Sequence, residues 1–435
     1  MSGPSRWTRG WIAVTAMFGL AADAGPPFEV RIVDPAPPED PWMKAVGDLN
    51  GDGRPDLVLC GRGGPVVWYE NPSWTRRTLS VETGTTGSST GIALGDVDGN
   101  GSLDVVLANG VWFANPRPGG DAELDSWTPH AIDATTAHDI ALADLDGDGD
   151  LDAVKRNQGA TGDTIRVFRQ DPGDTWTERT IPAPAGEGLA VGDLDADGDP
   201  DIAIAGVWYE NDGDPIGGAW TPHTYSVSYT HPDVVVKLGN VGGSSRRDIV
   251  LSPAEAEGDT YRVSWFEAPQ DAEGIWPERI IEEDVEAVLH GLAIADFDRD
   301  GRADLAVAAM HQGDDPDLVR VLLQDAGGSF SSPPALSSSG SHNLVAADLD
   351  ADGRVDLFGA NHDSAQAPDG AQATIWLNRI VPEPGTGLRS LAAVCALAAL
   401  AARRRRGRNE RSPAPAPAPG RGGPDGDHGD ASIPR

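Results

Sequence analysis

Three features that recur in register predict an all-β fold closed into a ring, a seven-bladed β-propeller of four-stranded blades. An acidic loop begins at Asp48, Asp96, Asp144, Asp193, Asn240, Asp296 and Asp348, with steps of 48, 48, 49, 47, 56 and 52 residues. An aromatic residue opens a strand-like stretch 17 to 22 residues before each loop: Phe28, Trp74, Trp127, Trp176, Trp220, Trp276 and Phe330. Runs that alternate apolar and aromatic residues follow the loops, as in Val67-Trp68-Tyr69-Glu70-Asn71-Pro72 and Val207-Trp208-Tyr209-Glu210-Asn211. Four short strands in a period of roughly 40–50 residues make a propeller blade.

The strands of one unit follow in order. The first is the apolar stretch before the loop, for example Ile140-Ala141-Leu142-Ala143, and the second follows it, Leu151-Asp152-Ala153-Val154. The third is the Trp-Tyr-Glu-Asn run, bounded by a turn. The fourth begins at the next aromatic marker. No helical periodicity is sustained between residues 28 and 380, and 54 Gly and 35 Pro suit tight turns. The chain opens with a fourth-strand sequence, Phe28 to Val33, and the last unit, from about His342, stops at a third strand, Thr374 to Asn378. The N-terminal strand is therefore expected to complete the last blade and remove the free edges of an open array.

The loops read D-x-[DN]-x-[DN]-G-x-x-D in six copies. Carboxylates and carboxamides at positions 1, 3, 5 and 9 converge on one point, and an all-oxygen set of this kind suits a hard divalent cation, Ca²⁺ above all. The expected metal ligands are Asp48, Asn50, Asp52 and Asp56; Asp96, Asp98, Asn100 and Asp104; Asp144, Asp146, Asp148 and Asp152; Asp193, Asp195, Asp197 and Asp201; Asp296, Asp298, Asp300 and Asp304; and Asp348, Asp350, Asp352 and Asp356. Glycine at position 6 permits the backbone reversal. An EF-hand shares the first six positions but needs a bidentate Glu at position 12. Leu59, Leu107, Lys155, Ile204, Val307 and Gly359 stand there, which excludes it. The fifth copy has Asn240, Gly242 and Ser244 at positions 1, 3 and 5 and keeps Asp248, so six Ca²⁺ sites are expected in seven blades. Arg246 and Arg247 are expected to replace the missing ion by pairing with Asp248.

These loops resemble the FG-GAP/VCBS repeats of the integrin alpha-chain propeller and of many bacterial secreted proteins, over residues 28 to 380. The resemblance implies one structural cation per loop, held at the blade edge.

The chain carries 33 Lys plus Arg against 68 Asp plus Glu, a formal charge of −35. Six divalent ions would offset roughly a third of it. Such a surface argues against nucleic acid, which needs a basic footprint. Of the two cysteines, Cys60 and Cys395, the second lies in a C-terminal apolar segment, so no structural disulfide is expected. Residues 1–24 read as a secretory signal peptide: Arg6 and Arg9, an apolar run from Trp11 to Ala22, and a small-x-small site before Gly25. Residues 25–380 are the propeller. In residues 381–406, Val381-Pro382-Glu383-Pro384, an apolar stretch and Arg403 to Arg406 resemble the PEP-CTERM sorting signal of Gram-negative bacteria. That likeness implies transient membrane association, an exosortase-like protease and a destination at the cell surface or outside the cell. Residues 407–435, rich in Pro, Ala and Gly, read as a disordered tail.

Six residues before the loops stand Trp42, Thr90, His138, Glu187, Val234, His290 and His342. If the strand before each loop is innermost, Trp42, His138, Glu187, His290 and His342 ring one mouth of the channel, with His138 and Glu187 opposite His290 and His342. His311 and His362 stand near the same side. One reading is a ligand site, with His as acid/base or metal ligand and Trp42 as a sugar platform. The other, favoured here, is that these histidines bind backbone. The aromatic markers are read as inter-blade core. No nucleophile motif, Cys–His pair, HExxH or phosphate loop occurs. The expected role is a monomeric, exported, non-catalytic binding or adhesion module for an extracellular glycan or cell-surface protein, at the cell surface or in an exopolysaccharide matrix. The alternative is a polysaccharide lyase-like enzyme with its site at the channel mouth.

Overall fold

A computed structural model describes residues 28–81, 91–362 and 371–380. The signal stretch at 1–24 and the segments 381–406 and 407–435 lie outside the described residues, as does Cys395. The described part holds seven four-stranded antiparallel sheets and one 3-10 turn, Gly159–Thr161. The first strands of blades one to seven are Met43–Gly47, Ile92–Gly95, Asp139–Ala143, Ala190–Gly192, Val234–Gly239, Gly291–Ala295 and Asn343–Ala347. Each touches the next, and the seventh touches the first, so these strands line the axis of a closed ring.

Closure follows the register that the sequence predicts. Phe28–Asp34 pairs antiparallel with Ala373–Asn378, Phe28 opposite Asn378 and Ile32 opposite Thr374. The N-terminal strand is thus the outer strand of blade seven.

The core lies between blades, because each sheet has both faces covered by its neighbours. Second strands are buried along their whole length, as in Asp56–Cys60, Asp152–Arg156 and Asp356–Ala360. Leu57, Leu59, Val67 and Tyr69 of blade one pack against Phe358, Ala373, Ile375 and Leu377 of blade seven. The third-strand tryptophans Trp68, Trp112, Trp208 and Trp376 fill these seams and are at most 1 % exposed. Burying so large a side chain removes the most apolar surface per residue. Of the aromatic markers, Phe28, Trp127, Trp220 and Trp276 are buried in the same seams.

Two polar devices hold the blades in place. The first is the position-9 aspartate. In every blade its Oδ2 accepts the backbone N–H of loop position 2, and its Oδ1 accepts the N–H of the residue at the end of strand three. Asp304 does so with Phe297 and Gln324 at 2.8 Å each, and Asp356 with Leu349 and Asn378 at 2.8 and 2.7 Å. The second is a carboxamide at that same strand end, which donates to the position-2 carbonyl of the preceding blade's loop. Asn71 reaches Leu349 at 2.8 Å, Asn115 reaches Leu49 at 2.9 Å and Gln170 reaches Val97 at 2.9 Å. Asn211 reaches Leu145 at 2.7 Å, Gln324 reaches Val241 at 3.2 Å and Asn378 reaches Phe297 at 2.7 Å. Blade five has Ala268 at this place.

Candidate functional site

Two sets of chemistry-bearing side chains are placed by this ring, one at the loops and one on the axis.

In the acidic loops the position-1 carboxylate folds the turn around itself. Asp48 accepts from Gly51 and Gly53 at 2.7 and 2.8 Å, and Asp296 from Asp300 and Gly301 at 3.0 and 2.8 Å. Position 6 is a glycine at positive φ in all six acidic copies, 86° at Gly53 and 108° at Gly198. Position 4 is also left-handed in every copy, including Ala196 (69°), Arg299 (62°) and Ala351 (58°). Side chains that adopt this region cost of order 1–2 kcal/mol. The loop is therefore held against a local cost by its carboxylate contacts.

The carboxylate oxygens of Asp96, Asp98 and Asp104 lie within 4.8 Å of one another. So do those of Asp144, Asp146 and Asp152, of Asp193, Asp195 and Asp197, and of Asp296, Asp298 and Asp300. Like charges gathered so closely, with oxygen donors alone, fit a hard cation. Arginines partly offset the charge at two loops: Arg302 pairs with Asp300, and Arg379 meets Asp350 and Asp352 at 2.9 and 3.1 Å. Burial pushes the position-9 carboxyls up while backbone N–H donors pull them back. The net result is about 6 for Asp56, Asp104, Asp304 and Asp356 and about 7 for Asp152 and Asp201.

Blade five shows the loop without its acids. Asn240 turns its Nδ2 to donate to the Ser244 carbonyl. Asp248 keeps its staple, accepting from Val241, Gly242 and Ala268 at 2.8, 2.7 and 2.8 Å. Its carboxylate is thus taken up by backbone, and the expected pairing with Arg246 or Arg247 does not form. Arg246 instead reaches the Leu194 carbonyl of blade four at 3.5 Å, the seam that lacks a carboxamide. A groove of ≈ 800 Å³ opens beside this loop, between blades five and six, lined by Trp265, Glu267, Arg279, Asp296, Arg302 and Gln324 among others.

On the axis the channel is narrow enough for side chains from opposite blades to meet. His138 Nε2 lies 3.4 Å from Glu187 Oε2, and His290 Nε2 lies 3.6 Å from Glu187 Oε1 and 3.6 Å from Glu255 Oε1. The rings of His290 and His342 stack at 4.1 Å, and Trp42 stacks on His342 at 5.6 Å. All five residues singled out from the sequence therefore converge. Glu255, from the turn between the second and third strands of blade five, was not among them. No repeat marks that turn, so its position was not legible. His362 stands edge-on to His342 and Trp42.

The cluster is closed to large ligands. His138, Glu187, His290 and His342 are 1 %, 0 %, 7 % and 3 % exposed. The cavity beside them, lined also by Asp139 and Lys237, holds ≈ 110 Å³. Pockets for drug-sized molecules run to about 300–1,000 Å³. Trp42 is buried, with His342 on its ring and the Arg62 guanidinium 4.9 Å from its centroid. That corrects the sugar-platform reading of Trp42, because the indole face is already covered. His290 does bind backbone, its Nδ1 meeting the His342 carbonyl at 2.8 Å, whereas His138 Nδ1 meets the Asp139 carboxylate at 3.2 Å. Burial opposes charge on His138, yet Glu187, Asp139 and Glu255 outweigh it and raise the imidazole to about 10. Burial, together with the adjacent His290, holds His342 far below the usual imidazole range.

A family described as FG-GAP-like repeat matches residues 48–107 and 296–359, so the chain carries FG-GAP-like repeats in the arcs from blade one to two and from blade six to seven. No curated protein matches the chain. Among solved structures, a chain of the crystal structure of BBS1N in complex with ARL6DN, soaked with lead, is 13 % identical with a TM-score of 0.50, covering 81 % of this chain and 97 % of that one. A chain of a mitotic checkpoint complex is 12 % identical with a TM-score of 0.49, covering 87 % and 98 %. The BBS1N-complex likeness, at its identity, bears on the fold alone.

Proposed function

We propose that this chain is a calcium-stabilised β-propeller that acts as a non-catalytic binding module, with its partner met on the outer surface of the ring. The observation that carries this reading is the contrast in access. The axial imidazoles and carboxylates, the groups best suited to acid–base chemistry, are buried beside a ≈ 110 Å³ cavity. A groove of ≈ 800 Å³, lined by charged and amide side chains over the buried Trp265, lies at the seam of blades five and six. Its size and polar lining suit a ligand recognised by hydrogen bonds.

The Ca²⁺ sites of this proposal are the six acidic loops, with positions 1, 3 and 5 as side-chain ligands and position 9 sharing a free lone pair. The proposed partner is an extracellular glycan, in keeping with the export and sorting signals read from the two ends of the sequence. Adhesion at the cell surface or within an exopolysaccharide matrix is the role that joins these readings. The test is a glycan array probed with the full chain in Ca²⁺. Retention of a glycan without new product, lost on Glu267→Ala with Arg279→Ala, both exposed in the groove, supports the module. New unsaturated sugar ends, absorbing in the ultraviolet, would replace it with a lyase. Binding to a cell-surface protein but to no glycan would move the ligand class.

A further inference from the structure

We propose that His138, Glu187, Glu255 and His290 form a binding site on the propeller axis for one transition-metal dication of the Zn²⁺ class, separate from the Ca²⁺ loops. Their ligand atoms all lie within 4.8 Å of one another. Contacts among the four side chains, made through both oxygens of Glu187, are 3.4, 3.6 and 3.6 Å. Zinc bonds of about 2.0–2.2 Å to nitrogen and oxygen place tetrahedral ligands roughly 3.3–3.6 Å apart. The closest contacts among the four side chains fall at or near that edge length.

The site is built rather than incidental. Glu187 is 0 % exposed, and neither of its carboxylate oxygens has a hydrogen-bond partner; nor does Nε2 of His290. A buried polar group without a partner costs about 1–3 kcal/mol, and more when charged. An ion placed between these atoms would satisfy His290 Nε2 and one oxygen of Glu187. The tautomer is set as a metal ligand needs it. His290 Nδ1 faces a carbonyl at 2.8 Å and must donate, so Nε2 is the nitrogen turned to the carboxylates and the one an ion would take in exchange for its proton. His138 Nδ1 likewise faces Asp139 Oδ2, which is itself fixed by the Gly188 N–H at 2.9 Å. Arg156 pins the Glu187 and Gly188 carbonyls at 3.0 and 2.8 Å, so the backbone that carries Glu187 is held too.

The donor set distinguishes this site from the loops. Two imidazoles with two carboxylates favour a borderline metal over Ca²⁺, which takes oxygen. Four protein ligands fill a tetrahedral shell, so the site is structural in kind. It joins blades three, four, five and six across the axis. It goes beyond the binding-module reading and does not depend on it.

The experiment uses the full chain, stripped with chelator and returned to excess Ca²⁺, then titrated with Co²⁺ and with Zn²⁺. One Co²⁺ per chain with tetrahedral visible bands, displaced by one Zn²⁺, is the expected result. His290→Gln and Glu187→Gln should abolish the bands while Ca²⁺ uptake and the β-sheet circular dichroism persist. Glu255→Gln, at a side chain 22 % exposed, is the variant least able to disturb the ring and should weaken and shift them. Asp139→Asn, which touches the site through His138 and the Gly188 N–H, should lower Zn²⁺ affinity about 10–100-fold. Absence of Co²⁺ bands in the parent chain overturns the proposal. So do bands that survive both His290→Gln and Glu187→Gln.

Discussion

Blades five and six are neighbours built on the same plan, yet one loop has lost the acids that the other keeps. Blade six has Asp296, Asp298 and Asp300 gathered within 4.8 Å; blade five has Asn240, Gly242 and Ser244. The position-9 staple is the same in both, Asp248 and Asp304 each bridging loop and third strand through backbone N–H groups at 2.7–2.8 Å. The acidic motif is therefore two devices written as one. Position 9 builds the blade, and positions 1, 3 and 5 gather the charge that the proposed Ca²⁺ would offset.

Removing the staple should produce the largest effect and the sharpest test of this division. Asp248→Ala leaves buried amides without acceptors and is expected to cost about 3–5 kcal/mol in urea unfolding. Asp304→Ala should cost a similar amount in chelator and more in Ca²⁺. If Asp248→Ala were neutral, the staple would be a by-product of the ion site. Next in size is the metal itself. Calorimetry should count six Ca²⁺ per chain with affinities of about 10⁻⁴–10⁻³ M. Asp296→Ala should remove one site, and with it about 1.4 kcal/mol of stabilisation when Ca²⁺ is ten times its dissociation constant. An unchanged melting temperature in chelator would end the calcium reading.

A smaller effect lies in pH. The position-9 carboxyls sit at about 6 to 7, above their usual 3.8. The folded chain therefore holds protons that the unfolded chain releases. In chelator, this stabilisation is full below pH 4 and is lost as pH rises through about 6 to 7. Bound Ca²⁺ favours the ionised form and should flatten that slope in thermal melts across pH 5–8. The smallest difference concerns the seams. Asn211→Ala removes a 2.7 Å bond to the Leu145 carbonyl and should cost about 1–2 kcal/mol. Arg246→Ala, with its 3.5 Å contact to Leu194, should cost within about 0.5 kcal/mol. Equal costs would make the arginine a full replacement for the missing carboxamide.

Much of this was legible in the chain because repetition amplifies weak signals. The loops at Asp48 to Asp348, the Trp-Tyr runs and the aromatic markers fixed blade number, strand order and the role of Phe28–Asp34 in closure. Trp42, His138, Glu187, His290 and His342 were found by the same register, since equivalent positions on innermost strands must face one axis. Glu255 was hidden because the turn between second and third strands varies in length and sequence from blade to blade, although His311 stands at the equivalent place in blade six. The carboxamide latch was present in the sequence as Asn71, Asn115, Gln170, Asn211, Gln324 and Asn378. It looked like turn chemistry, because its acceptor is a carbonyl 66 to 83 residues earlier in five of the six and, for Asn71, 278 residues later. The covered face of Trp42 depends on where Arg62 and His342 fall, which no local pattern encodes.

The latch has one more consequence. Every carboxamide points the same way round, each of the six blades that carries one gripping the blade before it. Asn71 grips Leu349 across the seam between blades seven and one with the same bond used at the other seams, although blade seven is itself assembled from the first and last strands. The assembled ring therefore keeps no record of where its chain begins. Blades are interchangeable links, and the number of them must be decided by how steeply each wedge tapers toward the axis.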